Sequence, residues 1–250
     1  MNEHKTKPQI ICISSGKGGV GKTSFTINLA AALSGKKQKV LVIDGDLGLA
    51  NIDVMLGLSV NHTLREVVEE GRDPLETLVE IMPGFFVLPA SSGVPEMASL
   101  SYEEQAFLQD SLEQIIGRFD FVLVDTAAGI GDSVLWFNEW ADTTFTILSP
   151  DPTSMTDAYA LMKVLKTRYN KSNFQLIINN VKSRKEGQEV FASMKAVLEN
   201  FLHITPDYRG AIPQDSAVAQ AVRRQKPFLV FQPKARASMA IMEICNSLLD

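Results

Sequence analysis

The stretch SSGKGGVGKT, residues 14–23, decides the fold of this 250-residue chain. It fits the pattern G-x-x-x-x-G-K-[ST], and it lies between an apolar strand-like run at 9–14 and a helical pattern at 24–33. In this context the backbone N–H groups of a glycine-rich loop converge on phosphate oxygens, helped by the helix start. The alternative is a glycine-rich turn without a ligand. We predict that a nucleotide contacts Gly16, Lys17, Gly18, Gly19, Val20, Gly21, Lys22, Thr23 and Ser24.

Three side chains around this loop have predicted roles in the chemistry. The Lys22 ammonium should reach the β- and γ-phosphates, and the Thr23 hydroxyl should ligate Mg²⁺. Asp125 follows the four apolar residues 121–124, which are typical of a buried parallel strand. Because ligands bind beyond the carboxyl ends of parallel strands, Asp125 should lie near the phosphates and the metal ion. The alternative is a solvated aspartate at a strand end.

Strand-like runs alternate with helical patterns along the whole chain. This alternation predicts an α/β fold: one doubly wound domain whose mostly parallel sheet carries helices on both faces. The domain should span residues 1–250, with residues 1–8 flexible. Helical patterns include 103–116 and 154–169. We predict strands at 9–14, 39–44, 85–89, 119–125, 143–149, 174–179 and 208–212.

Composition and simple motifs argue against several other classes of protein. The net charge is −5, which disfavours general binding to duplex nucleic acid but leaves a local basic patch open. Cys12 and Cys245 both lie in apolar patterns, and the lack of a CxxC motif argues against a self-contained zinc or iron–sulfur site. The N-terminus is polar, and no apolar run is long enough to span a bilayer. We therefore expect a soluble, cytoplasmic protein.

A second lysine inside the loop makes the motif more specific. The sequence KGGVGKT, residues 17–23, resembles the deviant Walker A motif of the MinD/ParA class of ATPases. The resemblance implies ATP and Mg²⁺ as ligands, and it implies that Lys17 crosses a homodimer interface to the phosphates of the partner's ATP. A solvated lysine is the alternative. The resemblance also implies a catalytic role for both Lys17 and Lys22.

The same resemblance assigns roles to the aspartates of the segment 44–46. In this class the second aspartate of a D-x-D sequence lies in switch I, which implies that Asp46 orients the attacking water and supports Mg²⁺. Asp44 should hold either the metal shell or the loop. The alternative for this pair is a turn. Residues 126–129 resemble switch II, although the flagellar branch of the class usually has Gly where Ala127 stands.

A further resemblance concerns the base of the nucleotide. An Asn at the end of a late strand reads the adenine edge in the MinD/ParA class, which favours Asn179 and leaves Asn180 as the second choice. Residues 210–215, GAIPQD, match the G-x-I-P-x-D loop that closes over the base, which implicates Pro213 and Asp215. The N-K-x-D pattern of guanine readers is missing. An Asx turn is the alternative for Asn179.

Several segments are similar to the flagellar-number ATPases called FlhG, FleN or YlxH. They are residues 46–53, 88–93, 125–131, 152–160 and 221–228. This resemblance implies slow ATP hydrolysis and control of flagellar number or placement, with an FlhF-like GTPase or a flagellar transcription regulator as partner and possible recruitment to a cell pole. The N-terminus lacks the D-Q-A-x-x-L-R sequence with which many members stimulate that GTPase.

The last helical pattern, 235–250, tests the similarity to membrane-bound relatives. Arg236 is its only cation, whereas helices that bind membranes favour basic polar faces. We therefore predict core packing for this helix and no stable membrane anchor of its own. The leading interpretation is an ATP-dependent dimerisation switch without strong nucleic-acid binding. The alternatives are a division-site or DNA-partition ATPase of the same class, and a metabolic P-loop enzyme.

Overall fold

The computed structural model describes residues 7–91, 97 and 100–250. Residues 1–6 of the segment 1–8, which was predicted to be flexible, lie outside these ranges. Residues 92 and 93 of the segment 88–93 also lie outside them. The strands are β1 (Gln9–Ser15), β2 (Val40–Gly45), β3 (Val79–Met82), β4 (Phe85–Leu88), β5 (Phe121–Ala128), β6 (Thr143–Leu148), β7 (Phe174–Val181) and β8 (Asp207–Pro213).

Helices connect most of these strands. A short 3-10 helix, Pro74–Thr77, precedes β3. The α-helices are α1 (Lys22–Gly35), α2 (Ile52–Leu56), α3 (Leu64–Glu70), α4 (Tyr102–Ile116), α5 (Asp132–Trp140), α6 (Pro152–Tyr169), α7 (Arg184–Leu202), α8 (Ser216–Arg223), α9 (Phe228–Phe231) and α10 (Arg236–Leu249).

The strands form one eight-stranded sheet in the order β3-β4-β2-β5-β1-β6-β7-β8. All neighbours are parallel except β3 and β4, which pair antiparallel. The predicted doubly wound, mostly parallel sheet is therefore confirmed. Sequence analysis missed β3, because its four residues are partly exposed and show no apolar run. Gly84, at φ 86°, makes the tight turn into β4.

Helices cover both faces of the sheet, as predicted. Residues of α1, α2, α8, α9 and α10 form one apolar core cluster with one face of the strands. Residues of α3 to α7 form two clusters with the other face. β1 and β5 lie at the centre and are buried on both faces, which explains their continuous apolar sequence.

The apolar face of α10 packs in the core, as predicted. Ile241, Ile244 and Cys245 are buried in the cluster that α1 shares. Their removal from water accounts for the apolar stripe of this helix without a lipid surface. Among the described helices, none is long and apolar enough to cross a membrane.

Candidate nucleotide-binding site

The site forms where β1, β2 and β5 end side by side. β5 lies between β1 and β2, and Asp125 is in register with Ile13 on one side and with Asp44 on the other. The loop after β1 therefore meets the two acidic strand ends directly. The structure confirms that these motifs, distant in sequence, share one edge of the sheet.

Glycines shape the loop in two different ways. Gly21, the residue before α1, has a φ of 95°, a backbone conformation that residues other than glycine rarely adopt. Gly16 is needed for packing, because a Cβ there would lie 2.1 Å from the backbone carbonyl of Asp157 in α6. Sequence analysis assigned Gly16 to phosphate contact, whereas the structure also shows it as the point where the loop rests on α6.

Lys22 points into the site from the first turn of α1. Its side chain is buried, and Nζ donates a hydrogen bond to Ser15 Oγ at 2.9 Å. Burial lowers the pKa of Lys22, and the nearby carboxylates of Asp125 and Asp46 oppose that shift. Ser15 was not predicted as a site residue. It positions the lysine and also donates a hydrogen bond to the Lys17 carbonyl at 2.7 Å.

Asp125 is a buried carboxylate at the predicted metal position. Burial raises its pKa to about 6, while hydrogen bonds from Thr23 and Thr26 and the charge of Lys22 act in the opposite direction. Thr26 Oγ1 donates to Asp125 Oδ1 at 3.1 Å. The Thr23 hydroxyl also hydrogen-bonds to the Asp125 carboxylate. Two oxygen groups that can bind a metal ion therefore lie together.

This donor pair fits Mg²⁺. In phosphate sites Mg²⁺ takes one or two protein oxygens and completes its shell with phosphate and water. Among the described residues, no group of three or more His, Cys, Asp or Glu side chains could hold a metal ion alone. The arrangement therefore suits a cation that arrives with a nucleotide, and the ligand roles of Thr23 and Asp125 stay predictions.

Asp44 holds the loop that follows β2. One carboxylate oxygen accepts a hydrogen bond from the Asp46 N–H at 3.2 Å. The other accepts from the N–H groups of Asn51 at 3.3 Å and Ile52 at 3.4 Å. Burial and then the charge of Asp125 raise the pKa of Asp44 well above its ordinary value. Of its two predicted roles, loop support has these contacts, and metal support stays a prediction.

Asp46 lies beside Lys22 at the mouth of the site. It is half-buried and accepts a hydrogen bond from the Leu49 N–H at 3.2 Å. Desolvation raises the pKa of Asp46, while the Leu49 N–H and Lys22 lower it. A carboxylate in this place can accept a proton from a water molecule near a phosphate, so the geometry is compatible with the predicted catalytic role.

Lys17 makes a contact that sequence analysis did not predict. Its Nζ lies 3.3 Å from Asp151 Oδ1 and donates to Thr153 Oγ1, both at the start of α6. Asp151 also caps α6 by accepting from the N–H groups of Thr153 and Ser154. The hydrogen bond from the Thr153 hydroxyl is the largest cause of the lowered pKa of Asp151. An aspartate just before Pro152 was the sequence signal for this cap.

A cavity of about 480 Å³ adjoins the loop and includes the predicted base-binding residues. Asn179 Nδ2 donates to the Val20 carbonyl at 2.7 Å, and Asn179 Oδ1 accepts from the Asn180 N–H at 2.8 Å. Asn179 therefore supports the loop, and both asparagines line the cavity. Pro213 and Asp215 line it too.

The Asp215 carboxylate is occupied by protein contacts. It caps α8 by accepting from the Ala217 N–H at 2.9 Å, and it accepts from the Ala237 N–H of α10 at 3.2 Å. These hydrogen bonds lower the pKa of Asp215, the one from Ala217 most. Its structural role is thus to fix the loop beside the cavity, while its contact with a base stays a prediction.

A buried polar network under the loop was also missed. Asn138 of α5 donates to Ser14 Oγ at 2.8 Å and accepts from Thr144 Oγ1 at 2.9 Å. Ser14 Oγ lies 3.1 Å from Thr126 Oγ1, just after Asp125. The network joins the strand before the phosphate loop to the predicted switch II. Its members are far apart in sequence and form no motif, so sequence alone offered no signal.

Comparisons with known proteins agree with this geometry. The family model that matches residues 6–249 is described as ParA, NUBPL iron-transfer P-loop NTPase. The antiactivator FleN of Pseudomonas aeruginosa is 40% identical over 239 residues, which cover 95% of this chain and 85% of FleN. The flagellum site-determining protein YlxH of Helicobacter pylori is 33% identical over 249 residues, covering 99% and 84%.

Solved structures show the same fold. The MinD cell division protein of Aquifex aeolicus superposes with a TM-score of 0.77 at 27% identity, over 96% of both chains. The septum site-determining protein MinD of Pyrococcus horikoshii, complexed with Mg-ADP, has a TM-score of 0.77 at 23% identity over 96% of both chains. At that lower identity the likeness shows the fold alone.

Proposed function

The chain belongs to the ParA family of P-loop NTPases, and from this premise we propose that it is an ATP-dependent dimerisation switch that controls the number or placement of flagella. ATP and Mg²⁺ are its ligands, and hydrolysis is slow. Similarity to the flagellum site-determining protein YlxH supports the flagellar role, and similarity to the antiactivator FleN supports control of a regulator. The family supports ATP as the nucleotide.

The observation that carries the proposal is the different placement of the two loop lysines. Lys22 is buried and directed into its own site, at hydrogen-bond distance from Ser15. Lys17 is held at the surface by Asp151, with its side chain 39% exposed. Because Lys22 already points into the site of its own subunit, Lys17 can leave Asp151 and bind the phosphates of a second subunit.

The mechanism follows from the side chains at the site. Lys22 binds the phosphates, and Thr23 and Asp125 would hold the metal ion. Mg²⁺, when bound, neutralises charge that develops on the phosphate oxygens. Asp46 orients a water molecule toward the γ-phosphate, and Lys17 of the partner subunit excludes bulk water and adds positive charge. The output is the occupancy of a partner, such as an FlhF-like GTPase or a flagellar transcription regulator, with recruitment to a pole through that partner.

Light scattering with a nonhydrolysable ATP analogue tests the switch. We expect the wild-type protein to become a dimer at saturating analogue. A Lys17→Ala variant should bind the analogue and remain monomeric, whereas Lys163→Ala, which changes an exposed lysine of α6, should dimerise. A wild-type protein that stays monomeric under these conditions contradicts the proposal.

Deleting the gene in its own organism tests the cellular role. Electron microscopy should show an altered number or position of flagella, restored by the wild-type gene and not by Lys17→Ala. Normal flagellation with defective division or chromosome segregation would favour a division-site or partition ATPase. Iron transfer, which the matching family model also names, is less well supported in this chain. Cys12 and Cys245 are both buried, so neither thiol is exposed to bind iron.

A further inference from the structure

A groove runs along the outer edge of β8, the last strand of the sheet. Its volume is about 530 Å³. The start of α7 forms one wall and α10 forms the other, since these helices cover opposite faces of the sheet. Tyr208, Gly210 and Ala211 of β8 form the floor.

The backbone of β8 is open along this edge. β7 pairs with one side of the strand, and the other side has no neighbour among the described strands. Within the ranges that the structure describes, no helix backbone and no side chain hydrogen-bonds to the main chain of residues 207–212. Alternate N–H and C=O groups of an edge strand point outward, where another strand can pair with them.

A bulge sets the direction of the side chains. Tyr208 is in register with Leu176 and Gly210 with Ile177, so Arg209 is an extra residue in the ladder. A bulge of this kind re-aims the side chains next to it. Arg209 reaches the α10 wall, where its Nη1 donates to the Ser247 carbonyl at 3.0 Å.

Arginines line both walls of the groove. Arg184 belongs to the α7 wall, Arg236 belongs to the α10 wall, and the side chain of Arg209 reaches the α10 wall from β8. In the part of the chain that the structure describes, none of them has a carboxylate within ion-pair distance. Glu243 is the one acidic residue among the groove's lining residues. The groove is thus locally basic in a chain whose net charge is −5.

We propose that this groove binds an extended acidic segment of a partner protein, which adds to β8 as a new strand and places carboxylates against the arginines of both walls. Edge-strand addition gives affinity through main-chain hydrogen bonds, and side chains that alternate between the two walls give specificity. Arginine pairs with carboxylates through several donors at once, which favours an acidic partner over a neutral one.

Two other occupants fit less well. A second copy of this chain paired along β8 would bring two grooves lined by arginines together, and their positive charges would repel. Duplex DNA needs a broad basic face that follows its phosphates, whereas this groove has a volume of about 530 Å³ and its α10 wall carries Glu243. The open edge of the strand suits a peptide.

Fluorescence anisotropy with a labelled peptide tests the charge requirement. The probe is Thr-Val-Glu-Glu-Val-Glu-Glu-Val, added to the full-length protein without nucleotide. We expect saturable binding that weakens with salt, and a loss of at least about tenfold in affinity for Arg184→Glu with Arg236→Glu. The matched control, Lys163→Glu with Lys195→Glu, changes the net charge equally outside the groove and should bind as the wild type does.

Two further measurements separate the possible results. Hydrogen exchange should show protection of the amides of residues 208–211 by the peptide, and a peptide with N-methylated alternate amides should lose that binding. Equal affinity of both charge-reversed proteins overturns the proposal, and so does unchanged exchange at β8. A short DNA duplex that displaces the peptide and also loses affinity in the arginine variant would overturn it in favour of nucleic acid. Circular dichroism checks that each variant is folded.

Discussion

Lys17 of the phosphate loop and Asp151 at the start of α6 form an ion pair across 3.3 Å within one subunit. Both side chains are partly exposed, and an exposed pair of this kind adds little stability. The contact therefore places the lysine beside α6 and is weak enough to release it. In the proposed dimer, Lys17 must leave Asp151 before it can reach the partner's nucleotide.

Asp151→Asn should strengthen dimerisation. The amide oxygen keeps the cap of α6, while the negative charge that holds Lys17 is removed. We expect the dimer dissociation constant with a nonhydrolysable ATP analogue to fall by up to about fivefold. Analytical ultracentrifugation measures it. Glu199→Gln, which breaks an exposed pair with Lys195, is the control and should leave the constant unchanged.

Asp46→Ala should trap the ATP-bound form. The substitution removes the carboxylate proposed to orient water, while Lys22, Thr23 and Asp125 remain to bind the nucleotide and the metal ion. We expect loss of most ATP turnover and a dimer that persists with ATP itself in light scattering. Asp53→Ala, a partly exposed aspartate of α2, is the control. Normal hydrolysis by Asp46→Ala would show that another group positions the water.

Asp125→Asn should stabilise the nucleotide-free protein above pH 6 and abolish turnover. The folded state raises the pKa of Asp125 from 3.8 to about 6. Below about pH 4 the carboxyl is protonated in both folded and unfolded chains, and the shift has no effect. As pH rises to about 6, ionisation costs the folded state up to about 3 kcal/mol. The wild-type protein without nucleotide should therefore lose stability across this window.

Urea unfolding at a series of pH values measures this effect. Asp125→Asn should flatten the dependence, although a part remains because Asp44 also has a raised pKa. Asp110→Asn, on the exposed side of α4, should retain the wild-type slope. A variant less stable than the wild type at pH 8 would mean that its hydrogen bonds outweigh the buried charge.

Gly16→Ala should damage both stability and nucleotide binding. The added methyl would lie 2.1 Å from the Asp157 carbonyl, and backbone on both sides must move to admit it. Overpacking of this kind costs about 1 to 3 kcal/mol or more. Thermal unfolding and titration with a fluorescent ATP analogue measure the two losses. Gly35→Ala meets no atom within 4 Å and is the control.

The protein should not bind lipid stably by itself, because the apolar face of α10 is already buried against α1 and β8. We expect little pelleting with anionic vesicles at physiological salt, with or without ATP. Exchanging the last turns of α10 for a non-membrane helix should not change that result. Strong ATP-dependent pelleting that disappears on this exchange would show that the helix leaves the core to bind membrane.

Sequence alone predicted those parts of the site that lie in one continuous segment. Lys22 and Thr23 were predicted because the loop pattern is local, and Asp125 because four apolar residues precede it. Ser15, Asp151 and Asn138 were missed as partners, since their roles depend on which elements meet in space. The same limit explains the two contacts of Asp215, which join α8 to α10.

The short strand β3 shows a second limit of sequence patterns. β3 pairs with β4 through the turn at Gly84, and its four residues are partly or fully exposed. A strand this short and this exposed has no clear apolar period in its sequence. The central strands β1 and β5 were found because burial on both faces demands continuous apolar sequence. Patterns of burial therefore predicted the central strands and missed β3, the edge strand with partly exposed residues.

Pro213 lines both the cavity beside the phosphate loop and the groove along β8. The residues after it are tied to α10, since Arg236 donates to the Gln214 carbonyl at 2.9 Å and the Ala237 N–H donates to Asp215. Residues 213–215 thus form a wall that the cavity and the groove share. A ligand that shifts this wall from one side changes the affinity of the other site for its own ligand. If bound nucleotide changes the affinity of the β8 groove for its partner by some factor, a partner bound in the groove changes the affinity for nucleotide by the same factor.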